Sequence, residues 1–311
     1  MWNRRHLLGI EELSVADIDV ILERAETWHA LSRQSGNKKA SVLDGRTVVN
    51  LFFEASTRTR TSFEIAAQRL GADVVNVSPA LSSVTKGETF LDTAKNIEAM
   101  RTDVMVVRHA SSGAPAFLAK RLDYARVVNA GDGWHEHPTQ ALLDAFIMKQ
   151  RKGKLAGLVV AICGDIAHSR VARSNALLLG KKGAEVRLCA PGTLMPMHAE
   201  TLGATARVVP RIDEAVEGAD VVMMLRVQHE RLAGAMMSTT REYARTFGLN
   251  AKVLARAKPD AIVMHPGPMN RGVELDTRIA DSDRSVILDQ VEAGVAVRMA
   301  VLDLLLGTQA S

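Results

Sequence analysis

The chain has 311 residues, 47% of them hydrophobic and 24% charged, with a formal net charge of +4. That length allows one large domain or two of ordinary size with ample core. The charge excess is too small and too scattered to be more than weak evidence for nucleic-acid binding, and it suits small acidic ligands better.

From the start, Trp2 to His6 lead into Glu11 and Glu12 without an apolar signal core. No later segment approaches the roughly 18 apolar residues of a membrane span. Ser14 with Asp17 makes a capping-box start to a helix running toward Ser32. Apolar runs predict strands at 47–53, 73–77, 103–108 and 126–130, with helical patterns at 61–70, 89–101 and 114–122 between them. A helix from Pro138 to about Gln150, closed by Arg151-Lys152-Gly153-Lys154, marks the joint. A second series follows, with strands at 158–163, 185–190, 206–209, 220–225 and 261–264. Its helical patterns lie near 168–181, 196–202, 212–218 and 238–247. This alternation predicts an α/β protein of two doubly wound parallel-sheet domains, residues 1–150 and 151–287. The last segment, Gln290 to Leu306, is apolar at helical spacing and is expected to return to the first domain. Cys163 and Cys189 each sit inside an apolar run, so two reduced core thiols in a cytoplasmic protein are expected, with a disulfide as the alternative.

Ligands of open α/β sheets sit beyond the carboxyl ends of strands. Polar clusters fall at those ends: residues 56–60, Arg108-His109, 131–140, 164–170, 226–228 and 265–268. The first packs Ser56, Thr57, Arg58, Thr59 and Arg60 into a strand-to-helix turn, where free N–H groups and the helix dipole favour an anion. The hydroxyls alone can be helix caps, but two arginines in the same turn shift the balance to anion binding. Arg58, nearer the turn, is the better ligand, and Arg60 the support.

In the cluster 131–140, Pro138 opens a helix, and His137 and Gln140 stand where a donor and an amide can reach a carbonyl-type oxygen. His135-Glu136-His137 raises a metal site, but H-x-H without a helical partner or a nearby cysteine is weak. Gly164-Asp165-Ile166-Ala167-His168-Ser169-Arg170 looks like a nucleotide turn yet lacks G-x-G-x-x-G, which argues against a dinucleotide. Arg170 and Arg226 can bind carboxylates of one small substrate or serve as salt-bridge residues. Residues 81–89 read as a polar loop. His265-Pro266-Gly267-Pro268 is either a strand-ending turn or a rigid presenter of backbone carbonyls. Glu54, His109 and His265 are read as structural, and Met223, Met224, Met236 and Met237 as core.

Ser56-Thr57-Arg58-Thr59-Arg60, Lys86-Gly87-Glu88-Thr89, His137-Pro138-Thr139-Gln140, Arg226-Val227-Gln228 and His265-Pro266-Gly267-Pro268 occur here in one order. In that combination the chain resembles the aspartate carbamoyltransferase family of catalytic chains, from about Leu7 to Leu306. The resemblance implies transfer of the carbamoyl group of carbamoyl phosphate to the α-amine of L-aspartate, in pyrimidine synthesis, with no cofactor and no metal. It makes residues 1–150 the carbamoyl-phosphate-binding domain, with a helix 288–311 packing back on it, and 151–287 the aspartate-binding domain.

Carried over by position, Ser56, Thr57, Arg58 and Thr59 would hold the phosphate. Arg108 would bridge phosphate and carbonyl oxygens, with Thr59 and His137 polarising the carbonyl. Gln140 and the Pro266–Gly267 backbone would receive the carbamoyl NH₂, with Pro268 fixing that turn. Arg170, Arg226 and Gln228 would bind the aspartate carboxylates. Ser82 and Lys86 would come from a neighbouring subunit of a homotrimer, and the resemblance leaves room for regulatory or dihydroorotase-type partner subunits. Trp134 stands where the family usually has a smaller or polar residue.

Ornithine carbamoyltransferase, the nearest rival, has cysteine in the third place of the histidine motif and histidine-cysteine-leucine-proline in the later one. Lys86, Arg170 and Arg226 would also repel a cationic amine. An inactive carbamoyltransferase-like scaffold would have lost members of this set, and all are present.

Overall fold

The computed structural model describes residues 2–78, 88–227 and 239–307. Ser82, Lys86, Gln228, Met236 and Met237 lie outside the described residues. The chain forms two compact units, one of residues up to Leu143 together with Glu292 onward, the other Asp144–Val291.

The first unit carries α1 (Val15–Arg33), β1 (Thr47–Phe52), α2 (Thr57–Arg69), β2 (Asp73–Val77), α3 (Phe90–Ala99), β3 (Val104–His109), α4 (Ala114–Ala119) and β4 (Arg126–Asp132). Its strands form one sheet in the order β2-β1-β3-β4, and every ladder is parallel. The inner strands β1 and β3 are almost wholly buried, which is why they read as unbroken apolar runs. Val49, Leu51, Met105, Val107, Leu118 and Val127 meet in the core on one face. The capping box is present at α1, where Ser14 accepts from the Asp17 N–H and the Asp17 carboxylate accepts in return.

α5 (Pro138–Lys152) crosses the division between the units. In the second unit follow β5 (Val159–Cys163), α6 (Arg170–Lys181), β6 (Glu185–Cys189), β7 (Ala206–Val208), α7 (Ile212–Val216) and β8 (Val221–Met224). Then come α8 (Thr240–Phe247), α9 (Ala251–Leu254), β9 (Ile262–Met264) and α10 (Thr277–Ala280). The strand order is β7-β6-β5-β8-β9, again all parallel. Cys163 and Cys189 are register partners on β5 and β6, both buried free thiols. Met223 and Met224 are buried on β8.

Three local differences from the sequence reading have clear causes. α2 begins at Thr57, four residues ahead of the expected pattern, because its first turn is polar and carries no apolar periodicity. The helix expected at 196–202 is a single 3₁₀ turn, Ala199–Leu202, entered through His198 in a left-handed conformation (φ 58°). α9 and α10 were not anticipated, being too short to show a period; Asn250 and Asp276 cap them through their side chains.

The final helix, α11 (Ile287–Leu306), joins the first unit from Glu292 onward. Trp28 Nε1 and Arg24 Nη1 both donate to Asp303 Oδ2, at 3.1 and 3.0 Å. Arg33 grips Glu292 through two 2.8 Å bonds, and the Arg298 guanidinium lies 5.0 Å from the centroid of the Phe63 ring. Among the described residues no helix is long and apolar enough to cross a membrane.

The Asp303 and Glu292 anchors differ in burial, and their loss should differ accordingly. Asp303→Ala strands the buried Trp28 N–H and should cost about 1–3 kcal/mol in urea unfolding. Glu292→Ala removes a more exposed pair and should cost about 1 kcal/mol or less.

Candidate active site

The strand order of the first sheet reverses between β1 and β3, and the polar groups gather there. Phe52 and Arg108 are register partners, and the Phe53 N–H donates to the Arg108 carbonyl at 2.9 Å. The chain leaving β1 turns into α2 at Ser56, the N-cap, whose backbone is extended (φ −159°, ψ 98°). Its hydroxyl makes no cap hydrogen bond to a backbone N–H and donates instead to Thr59 Oγ1 at 3.0 Å. No acidic residue occupies the first turn. The N-cap side chain therefore leaves the first-turn amides uncapped, and the positive end of the helix dipole meets no acidic residue within that turn. Thr59 is buried, Arg58 exposed and Arg60 half-buried. Two residues apart on a helix point about 200° apart, so the two arginines serve different surroundings.

Arg108 is buried and aimed by two partners. Nη2 donates to Glu54 Oε1 at 2.7 Å and Nη1 to the Ala130 carbonyl at 3.1 Å. Glu54, read from the sequence as structural, fixes the direction of the Arg108 guanidinium beside the turn into α2. Its signal was a carboxylate immediately ahead of the polar turn at 56–60, which calls for a cationic partner. His109 does behave as structure: it packs against Phe53 and Phe90 at ring distances of 5.3 and 4.9 Å. Burial pushes its imidazole down in pKa despite the charges of Glu54 and Asp132.

β4 brings the third group. His137, Thr139 and Gln140 are buried at the start of α5, where the Gln140 N–H donates to the His137 carbonyl at 3.0 Å. The loop before them is built around Asp132, which accepts from His135 Nδ1 at 3.0 Å, Asn129 Nδ2 at 2.8 Å, and the Gly113 and Glu136 N–H groups at 2.6 and 3.1 Å. Trp134 is 53% exposed, so its indole projects outward rather than crowding this loop.

The same loop holds the N-terminal segment. Glu136 accepts the N–H groups of Ile10 and Glu11 at 2.8 and 3.2 Å, while the Leu7 N–H donates to the Val127 carbonyl at 3.0 Å. At Gly9 a Cβ would stand 2.4 Å from Glu136 Oε1, so a larger residue would have to displace that carboxylate from its two N–H donors. Glu11, His135 and Glu136 offer ligand-type atoms within 4.8 Å of one another, a grouping that the H-x-H spacing could not show. Its members already have work: Glu136 ties down the segment and His135 stands on Asp132.

The second sheet has its own reversal, between β5 and β6 on one side and β8 on the other. Gly164 follows β5 with φ +137°, and a Cβ would meet the Leu225 carbonyl at 2.6 Å. Close strand packing therefore demands this glycine, and no phosphate need be invoked. Asp165 Oδ1 lies 2.8 Å from His168 Nδ1 and accepts the His168 N–H at 3.1 Å. Ser169 caps α6 and Arg170 begins it, buried. Arg226 follows β8, half-buried. Residues 265–268 follow β9, with Pro268 exposed.

Residues 5–150 match the family model described as aspartate/ornithine carbamoyltransferase, carbamoyl-P binding domain, and residues 156–305 the model for its Asp/Orn binding domain. The chain belongs to the aspartate/ornithine carbamoyltransferase family. It is 64% identical over 302 residues to the aspartate carbamoyltransferase catalytic subunit of Sorangium cellulosum, covering 97% of this chain and 93% of that one. The aspartate transcarbamoylase of Trypanosoma cruzi, solved with carbamoyl phosphate and aspartate, superposes with a TM-score of 0.88 at 32% identity, covering 98% of each chain. An ornithine carbamoyltransferase from Pyrococcus furiosus gives 0.84 at 29%, also over 98% of each. The backbone is thus common to both branches of the family, and sequence separates them.

Asp132 offers a test of the loop that carries His137. Burial would raise its carboxyl pKa, but the hydrogen bonds from His135, Asn129 and Gly113 and the His135 charge outweigh that and hold it below the usual range. Stability from a depressed carboxyl is present above its unfolded pKa, about 3.9, and is lost as the pH falls through the folded value. Asp132→Asn should therefore cost about 1–3 kcal/mol at pH 7 by urea unfolding, and the gap from the parent should close in acid.

Proposed function

We propose that this chain transfers the carbamoyl group of carbamoyl phosphate to the α-amine of L-aspartate, releasing N-carbamoyl-L-aspartate and phosphate. The observation that carries the reading is the uncapped start of α2, with Arg108 aimed beside it, in a chain so close to aspartate-specific relatives. Residues 1–150 are the carbamoyl-phosphate domain, with the C-terminal segment 288–311 belonging to it, and residues 151–287 are the aspartate domain.

Ser56, Thr57, Arg58 and Thr59 take the phosphate through hydroxyls, backbone N–H groups and the guanidinium. Arg108 bridges phosphate and carbonyl oxygens, and Thr59 and His137 add donors to the carbonyl. Gln140 and the Pro266–Gly267 backbone receive the carbamoyl NH₂, and Pro268 stiffens that turn. Arg170, Arg226 and Gln228 take the two carboxylates of aspartate. The neutral amine attacks the carbonyl carbon, an oxyanion develops, and the donors already in place stabilise it. Collapse of the tetrahedral intermediate breaks the bond from carbon to the phosphate oxygen. The departing phosphate accepts the amine proton, so no protein base is needed.

Aspartate is favoured over ornithine because Arg170, Arg226 and Lys86 would oppose a second cation, and the histidine motif has Thr139 rather than cysteine. The working enzyme is a cytoplasmic homotrimer in which Ser82 and Lys86 complete a neighbour's site, acting in pyrimidine synthesis.

Purified protein should form carbamoyl-aspartate from carbamoyl phosphate and aspartate in a colorimetric assay, and product from ornithine alone would overturn the assignment. Arg58→Ala should lower turnover by about 10²–10³, the usual cost of losing one preorganised donor. Mixing inactive Arg58→Ala and Lys86→Ala chains should restore part of the activity through hybrid trimers; no recovery would argue against shared sites.

A further inference from the structure

The turn at residues 265–268 is held from within the second unit by side chains that the chemistry above does not use. Asp144, Asn175, Gln290, His265 and Glu274 are all 3% exposed or less. The Asp144 carboxylate accepts Gln290 Nε2 and Asn175 Nδ2, both at 2.8 Å. That commits the amide of Gln290: with its nitrogen on Asp144, its oxygen accepts the His265 N–H at 3.0 Å. The backbone at the start of the turn is thereby pinned.

The ring of His265 pins the next peptide. Nδ1 lies 2.8 Å from the Gly267 nitrogen. A backbone N–H can only donate, so Nδ1 must carry a lone pair. The ring proton then sits on Nε2, which faces Glu274 Oε1 at 3.3 Å. The same oxygen accepts the Asn270 N–H at 2.5 Å, closing the loop beyond the turn. Glu274 thus selects the tautomer that His265 needs in order to accept from Gly267.

The consequence follows from peptide geometry. In the trans peptide joining Pro266 to Gly267, the C=O and N–H point in opposite directions. With the Gly267 N–H turned onto the imidazole, the Pro266 carbonyl must face away from it. Gly267 has φ +64°, a conformation that favours glycine and lets this plane be set without strain.

We propose that His265 is a positioning residue: its Nδ1, backed by Glu274 and by the Asp144–Gln290 pair, fixes the Pro266–Gly267 peptide so that the Pro266 carbonyl meets the carbamoyl NH₂. The inference rests on the carbamoyl-phosphate reading above. It makes a distinction that general loosening of the fold would not. Carbamoyl phosphate has the NH₂ and should feel the turn, whereas inorganic phosphate lacks it and should not.

The test is calorimetric binding of carbamoyl phosphate and of inorganic phosphate to the full-length enzyme and its variants, with KM and kcat alongside. His265→Gln can still reach Glu274 but removes the Nδ1 acceptor. It should weaken carbamoyl phosphate roughly tenfold, the upper range for one neutral hydrogen bond, and leave phosphate binding unchanged. His265→Asn places an amide oxygen near the Nδ1 position and should recover most of that loss. Gln290→Met, which frees the His265 N–H, should show the same selective loss and serves if His265→Gln does not fold. Equal weakening of both ligands, or no change in either, overturns the proposal. Wild-type protein that neither binds nor turns over carbamoyl phosphate would instead remove the reading beneath it, so the two failures are distinguishable.

Discussion

In both sheets every ladder is parallel, so all strands end on one edge, and whatever follows a strand is delivered to that edge by register. The pairing of Phe52 with Arg108 sets the guanidinium beside the turn into α2, and the pairing of Cys163 with Met224 does the same for the segments that lead to Arg170 and Arg226. The inner strands β1 and β3 are apolar and buried along almost their whole length, and Arg108 stands near the carboxyl end of β3. The start of α2 supplies the counterpart, a helix end whose amides are left without a side-chain cap.

Acids, three of them buried and Glu54 half-buried, then hold these loops. Glu54 aims Arg108, Asp132 gathers the loop before His137, Asp165 holds His168, and Glu274 faces His265. A buried carboxylate is costly unless hydrogen bonds satisfy it. Asp132 meets that condition with several donors, and its depressed pKa reports the balance.

Much of the fold was legible because inner strands buried on both faces leave apolar runs that need no periodicity to be seen. β1, β3, β5 and β8 are of this kind, and their observed limits differ by a residue or two from those read in the sequence. Short elements were not legible. The segment around Leu7 pairs with β4 through a single bridge, too brief to leave a strand pattern. α9 and α10 are single turns, and the polar first turn of α2 hid its true start.

The order of motifs along the chain, by itself, determined the family. Those are local facts, since a turn after a strand is chosen by its own backbone and its own helix end. Asp132 and Asp165 meet their histidines three residues away, but the longer pairings were decided only by the tertiary structure. Glu54 meets Arg108 across 54 residues, Glu136 meets Ile10 across 126, and Gln290 meets Asp144 across 146. Spacing carries no trace of such pairs, because they arise when separate strands and helices are laid side by side and buried together.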